Sequence, residues 1–128
     1  FYFERQNQAE AEKSFLLALQ KTRTPGLRVE ALVALGTFYG MINNSAQSEH
    51  YLKGALQIDP NNSAAWAGLG NLAWMQERTY EAISSYEKAI AIHPGNYEAT
   101  INLAMAYDKA GQIERGNLMR QKAANIRR

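Results

Sequence analysis

The chain of 128 residues contains no cysteine, three prolines and two histidines. Without cysteine there is no disulfide, no thiolate nucleophile and no zinc site of the cysteine type. The same absence leaves the compartment open, since reducing and oxidising compartments both hold cysteine-free proteins; the expectation leans to a soluble, cytoplasmic setting. His50 and His93 stand 43 residues apart, and neither has a second histidine three or four positions away, so no helix face carries a metal pair. Apolar runs are only a few residues long, too short to span a bilayer and excluding membrane insertion. The chain opens on Phe1 with no charged-then-apolar leader, which reads as a fragment or a processed piece.

Charge of one sign is scarce only in the total, which is +2. Residues 1–28 hold five basic and three acidic side chains, residues 29–108 three and eight, and residues 109–128 six and one. An acidic body with a basic tail results. Lys109, Arg115, Arg120, Lys122, Arg127 and Arg128 have no aromatic between them, and the acidic body repels a phosphate backbone. They read as a solvated terminal helix, and no nucleic acid is expected as a partner.

What is present is periodicity. Leu35, Leu69 and Leu103 recur every 34 residues, and so do Gly36, Gly70 and Ala104, then Ala55, Ala89 and Ala123. Pro60 and Pro94 keep the same step, each just ahead of an asparagine, Asn62 or Asn96, placed to cap the next helix. Within each unit apolar residues return at three and four, as in Trp66, Leu69, Gly70, Ala73 and again in Ala82, Ile83, Tyr86, Ala89, Ile90, which predicts two helices per unit. Breaks are expected at Asn43-Asn44, Glu77-Arg78 and Gly111-Gln112.

These residues resemble the tetratricopeptide repeat, a helix–turn–helix unit of 34 residues. Ser63 to Asn96 supplies Trp66, Leu69, Gly70, Ala82, Tyr86, Ala89 and Pro94 at the spacing of that motif, with Ala73 in place of its usual tyrosine. Val29 to Asn62 supplies Leu35, Gly36, Tyr39, Leu52, Ala55 and Pro60, with Leu32 and Ser48 as departures. Tyr97 to Arg128 supplies Leu103, Ala104, Tyr107 and Ala123, departing at Thr100, Gly116 and Arg120. Upstream, Tyr2, Ala11, Phe15 and Ala18 sit 37 residues ahead of their counterparts, which predicts a longer connection around Arg23-Thr24-Pro25-Gly26. The resemblance implies an all-α, right-handed α-solenoid of antiparallel helix pairs. It implies a partial first repeat over 1–28, made of the end of one helix, a second helix and a long loop. Repeats follow over 29–62, 63–96 and 97–128, the last closing on a polar capping helix.

Gly36, Gly70 and Ala104 are then the small residues at which paired helices approach. Gly36-x-x-x-Gly40 resembles a membrane dimer motif, but its helix is short and polar, and packing explains it. Catalysis is not expected. Ser84-Ser85 has no nearby base, Gly68-x-Gly70 follows no strand and lacks the rest of a dinucleotide loop, and Glu77, Glu81 and Glu87 read as exposed helix charges, some paired with Arg78 or Lys88. No cofactor or metal is implied.

In the family it resembles, the first helix of each unit lines a concave wall. The stripe on that wall is Glu30, Val33, Thr37, Gly40, Met41 in one unit, Ala64, Ala67, Asn71, Trp74, Met75 in the next, and Glu98, Ile101, Met105, Asp108, Lys109 in the last. Val33, Thr37, Met41, Ala67, Asn71, Trp74, Met75, Ile101 and Met105 are therefore the candidate peptide-binding residues, with Trp66 assigned to the core. The apolar members either form an adaptable groove or pack against neighbouring helices. A carboxylate clamp of the chaperone-binding kind is rejected, because Val33, Thr37, Glu98 and Asn102 stand where its cations and one asparagine belong, and Glu98 repels a carboxylate. The function implied is a protein-interaction scaffold whose partner is an apolar or amphipathic peptide or helix. The alternative is a structural spacer or an oligomerisation module with the groove filled by its own chain. Phe1, Tyr2 and Phe3 suggest an apolar N-terminal edge and a homo-oligomer through it.

Overall fold

The computed structural model describes the backbone of residues 2–127 and the side chains of residues 5–127. The expected apolar edge at Phe1, Tyr2 and Phe3 lies outside the described side chains, as does Arg128. Among the described residues there are seven helices and no strand: α1 (Tyr2–Gln20), α2 (Pro25–Met41), α3 (Ser45–Ile58), α4 (Ser63–Met75), α5 (Thr79–Ile92), α6 (Tyr97–Lys109) and α7 (Ile113–Arg127). They form two compact units, Phe1–Pro60 and Asn61–Arg128. No described helix is long and apolar enough to cross a membrane.

Helix starts follow from capping. A helix leaves its first N–H groups unpaired, and a short polar side chain just ahead can accept from one of them. Asn62 Oδ1 accepts from Ala65 N at 2.9 Å and Asn96 Oδ1 from Ala99 N at 3.0 Å. Asn44 does the same for Gln47 and Thr24 for Leu27. The 34-residue step is also written into the turns. Asn43, Glu77 and Gly111 take φ of 62°, 60° and 83°, the left-handed conformation that ends a helix. Just beyond each, an N–H reaches back five residues: Asn44 to the Tyr39 carbonyl, Arg78 to Ala73 and Gln112 to Tyr107, at 2.8, 2.9 and 2.8 Å.

In the first unit α2 packs on α3 and α1 packs on α2. Leu35, Phe38 and Tyr39 make its core, with Phe15 of α1 set 5.4 Å from Phe38 and Tyr51 of α3 stacked 5.5 Å from Tyr39. Two sequence expectations are corrected here. The segment expected as the end of one helix plus a second is the single helix α1, because no glycine or proline between Tyr2 and Gln20 provides a break. The expected loop through Pro25-Gly26 is shorter: Thr24 caps α2 and Pro25 opens it, since proline suits the first helical turn, where its missing N–H has no partner to lose.

In the second unit α4 pairs with α5, α6 with α7, and α5 lies against α6. Its core joins Ala73, Ala82, Ile83, Tyr86, Ala89, Ala99, Leu103, Ala104, Ala106, Tyr107 and Met119. Where helices meet, the backbone approach excludes a side chain. A Cβ on Gly70 stands 2.7 Å from the Tyr86 ring, and one on Gly36, in the first unit, stands 2.5 Å from Leu52 Cγ. One step on, Ala104 stands in the place of the glycine and Arg120 in that of the bulky partner, its guanidinium donating to Asp108 at 2.6 Å. Gly116 takes over the tight place, its would-be Cβ 3.1 Å from the Ala104 carbonyl oxygen.

Candidate functional site

Helix α4 has the sequence SAAWAGLGNLAWM, without a single charge. Where α4 approaches α6 lies a cleft of about 230 Å³ lined by Asn71, Trp74, Met75, Tyr86, Asn102 and Met105. Small-molecule sites run to roughly 300–1,000 Å³, so this cleft suits a side chain or two of a larger partner.

Its apolar part is uncovered. Met75 is 50% and Met105 47% exposed, and Trp74 is half-buried, resting partly on the core of the second unit. Lys109 Nζ lies 5.1 Å from the centre of the Trp74 ring, a contact in which the cation meets the negative face of the indole. Other charges nearby are engaged. Asp108 holds Arg120, and Glu87 accepts from the Tyr107 hydroxyl at 3.0 Å. Burial raises the Tyr107 phenol above its usual pKa, and the hydrogen bond to Glu87 raises it further.

The polar part is a three-residue network. Tyr86 Oη donates to Asn71 Oδ1 at 2.5 Å, and Asn102 Nδ2 donates to the same oxygen at 3.2 Å. Burial raises the Tyr86 pKa strongly, and the nearby Asn102 amide acts in the opposite direction. The phenol therefore stays protonated at neutral pH and keeps its donor.

Of the nine candidate residues, the structure brings Asn71, Trp74, Met75 and Met105 together. Ala67 packs against the core cluster, and Ile101 is half-buried on α6 outside the cleft lining. Val33, Thr37 and Met41 belong to α2 in the first unit, where Val33 is half-buried, Thr37 exposed and Met41 78% exposed. Trp66, assigned to the core, is half-buried, with Lys88 Nζ 4.3 Å above its ring. An indole is too large to be enclosed so near a helix start, and the lysine covers its open face. Leu69 is half-buried too, while Leu72, outside the expected stripe, is 5% exposed. Of the expected glutamate pairs, Arg78–Glu81 forms at 3.3 Å. Sequence reasoning missed the roles of Tyr86 and Asn102. Periodicity carries no signal for either, because Tyr86 of α5 and Asn102 of α6 meet at one Asn71 oxygen through their side-chain directions.

Models of the tetratricopeptide repeat match residues 29–62 and 73–116. Among curated proteins the chain is similar to the peroxisomal targeting signal receptor of Candida albicans, 38% identical over 73 residues, which covers 56% of this chain and 12% of that one. It is also similar to cellulose synthase operon protein C of Pseudomonas fluorescens, 30% identical over 131 aligned residues, 96% of this chain and 10% of that one. The chain thus spans about an eighth of the length of the curated relatives it matches first, 12% to 14%. Among solved structures, a crystal structure of MamA superposes with a TM-score of 0.80 at 23% identity, covering 96% of this chain and 70% of that one, a likeness of fold alone. A mutant O-GlcNAc transferase of Thermobaculum terrenum gives 0.77 at 27% identity, covering 83% of this chain and 20% of that one.

Proposed function

Because this chain belongs to the tetratricopeptide repeat family, whose members act as non-catalytic scaffolds for protein–protein contact, we propose that its α4–α6 cleft receives an apolar or amphipathic segment of a partner protein. The observation that carries this reading is the company Trp74 keeps. A half-buried indole, two half-exposed methionines and two asparagine amides share one cleft in the second unit. Methionine is flexible and polarisable, so such a wall adapts to more than one apolar side chain. Tryptophan is the residue most enriched at binding hot spots, because one ring removes much apolar surface from water at a small entropy cost. A relative named as a receptor for a targeting signal is in keeping with a segment of another protein as the ligand.

The test is a panel of short amphipathic peptides titrated into a Trp66→Phe variant, in which Trp74 is the sole indole. Binding that shifts Trp74 emission and saturates supports the reading. A silent indole across the panel, with self-association on sedimentation that buries the same residue, points instead to a cleft filled by a second copy.

A further inference from the structure

Side chains take up oxygen reversibly at cysteine and at methionine, and this chain has four methionines and no cysteine. Those four stand in different surroundings. Met119 is 8% exposed in the core of the second unit, whereas Met75 is 50%, Met105 47% and Met41 78% exposed. Oxidation follows exposure, so three thioethers are open to a dissolved oxidant and the fold shields the fourth. Of the open three, Met75 at the end of α4 and Met105 on α6 line one cleft, and Met41 of α2 does not. Trp74, Met75 and Met105 supply the apolar surface of that cleft, so most of it rests on oxidisable sulfur.

Resting on that cleft being a peptide site, we infer that Met75 and Met105 form a reversible oxidation site whose sulfoxides close the cleft to an apolar ligand. The oxidant is a hydroperoxide. A sulfur lone pair attacks its terminal oxygen, the O–O bond breaks, and the proton of the transferred oxygen passes to the departing one. The thioether is oxidised by two electrons, and the hydroperoxide is reduced to water or an alcohol. A methionine sulfoxide reductase supplied with a dithiol reverses the change: the oxygen leaves as water and the dithiol becomes a disulfide. The sulfoxide is polar and chiral where the thioether was apolar and polarisable. In the free chain both sites are half-open, so the new S–O dipoles stay hydrated and the fold carries them. A ligand that covers the cleft must remove that water, and an apolar side chain offers no hydrogen bond in return. Affinity therefore falls while stability holds. An oxygen on Met119 would instead enter the core at the expense of the fold, but that sulfur is the shielded one.

The test treats the folded Trp66→Phe chain with hydrogen peroxide. An acetylated, amidated nonapeptide with leucine anchors is titrated before and after, with Trp74 emission as the readout. Peptide mass mapping should find an added oxygen on Met41, Met75 and Met105 well before Met119. The oxidised chain is expected to bind about tenfold or more weakly, as a polar group covered without a partner requires, with its melting temperature little changed. Sulfoxide reductase with a dithiol should restore the affinity. Met41→Leu should keep the ratio of affinities before and after peroxide. Met75→Leu with Met105→Leu, whatever the affinity of that double variant, should bring the ratio close to one. Should peroxide unfold the chain, Met75→Gln with Met105→Gln sets polar groups of similar length in place without an oxidant. That pair should then bind about tenfold more weakly than the leucine pair. Oxidation of Met119 ahead of the cleft sulfurs, a loss of affinity that follows Met41, or full affinity in a chain oxidised at Met75 and Met105 overturns the inference and leaves the peptide site in place. No binding by the unoxidised chain overturns the site and the inference together.

Discussion

Gly70 lies directly beneath the ring of Tyr86, so close that a methyl group at its Cα stands 2.7 Å from the ring carbons. The same contact joins Gly36 to Leu52, and one 34-residue step beyond Gly70 and Tyr86 the sequence has Ala104 and Arg120. Gly70→Ala gains helix propensity of about 1 kcal/mol but forces Tyr86 out of place, at about 1–3 kcal/mol for an overpacked core. We expect a net loss of up to about 2 kcal/mol in urea unfolding, with the hydrogen bond from Tyr86 to Asn71 disturbed.

The third pair permits a reciprocal experiment. Arg120→Tyr installs the bulky residue of the middle repeat opposite an alanine, and should destabilise the chain. Adding Ala104→Gly restores the space found at Gly70. The double variant should therefore be more stable than the sum of the two single effects, by about 1 kcal/mol or more for residues in contact. The Arg120–Asp108 pair lost on the way is exposed and screened by solvent, so its loss does not set the sign of the result. Simple additivity in thermal unfolding would show that the 34-residue step does not carry this contact.

The three left-handed turn residues differ in how well their side chains suit the conformation. Gly111 is at φ 83° with open space around its Cα, so Gly111→Ala meets no neighbour and pays only in backbone strain. Left-handed backbone costs an L-residue roughly 1–2 kcal/mol. Glu77 bears that strain already at φ 60°. Gly111→Ala should lower stability by about 1 kcal/mol, and Glu77→Gly should raise it by about 0.5–1 kcal/mol after the larger entropy of the unfolded glycine is counted. Chemical denaturation of the two variants checks both signs.

Three phenols, Tyr39, Tyr86 and Tyr107, are raised above the ordinary value of 10.0, in each case chiefly by burial. A folded-state pKa above the unfolded one leaves stability intact below the unfolded value and removes it as pH rises beyond. Stability should thus be level with respect to these groups through neutral pH and fall above about pH 10, as the unfolded chain ionises and the folded one resists. Tyr86→Phe and Tyr107→Phe should each flatten that alkaline decline. Urea titrations at a series of pH values measure it, and phenolate absorbance shows which rings ionise before unfolding.

Those elements that repeat in the chain were legible from it. Asn62 and Asn96 announce helix starts because an amide oxygen at a cap has one local job, and Asn43, Glu77 and Gly111 mark turns at the 34-residue step. The close approach at Gly36 and Gly70 was equally readable, since only a missing side chain permits it. Features that depend on a single helix end were not. Pro25 read as a loop residue until Thr24 placed it in the first helical turn. Trp66 occupies the position of a core tryptophan, yet how far an indole is enclosed depends on what closes over it, here Lys88. Of the cleft, the α4 residues could be chosen from their spacing. The network of Tyr86 with Asn71 and Asn102 could not, because it joins three helices and rests on side-chain directions that periodicity does not report.

The two tryptophans of α4 should separate stability from binding. Each is half-buried and rests on the core of the second unit, but they differ in surroundings. Trp66 lies beside Lys88 in the α4–α5 pair, away from the cleft, whereas Trp74 lines it with Met75 and Met105. Full removal of a buried aromatic costs about 3–5 kcal/mol, so a half-buried ring should cost less. Trp66→Ala is expected to lower stability by about 2–3 kcal/mol and leave peptide affinity nearly unchanged. Trp74→Ala removes a comparable contact with the core but also the largest apolar surface offered to a ligand, and should weaken a bound peptide by about 2 kcal/mol or more. Lys109, which stands over that ring, supplies an internal check. Lys109→Ala uncovers the indole without shortening it, so it should alter Trp74 emission while leaving the fold intact. If Trp66→Ala abolished peptide binding in a folded chain and Trp74→Ala did not, the site would lie on the other face of α4.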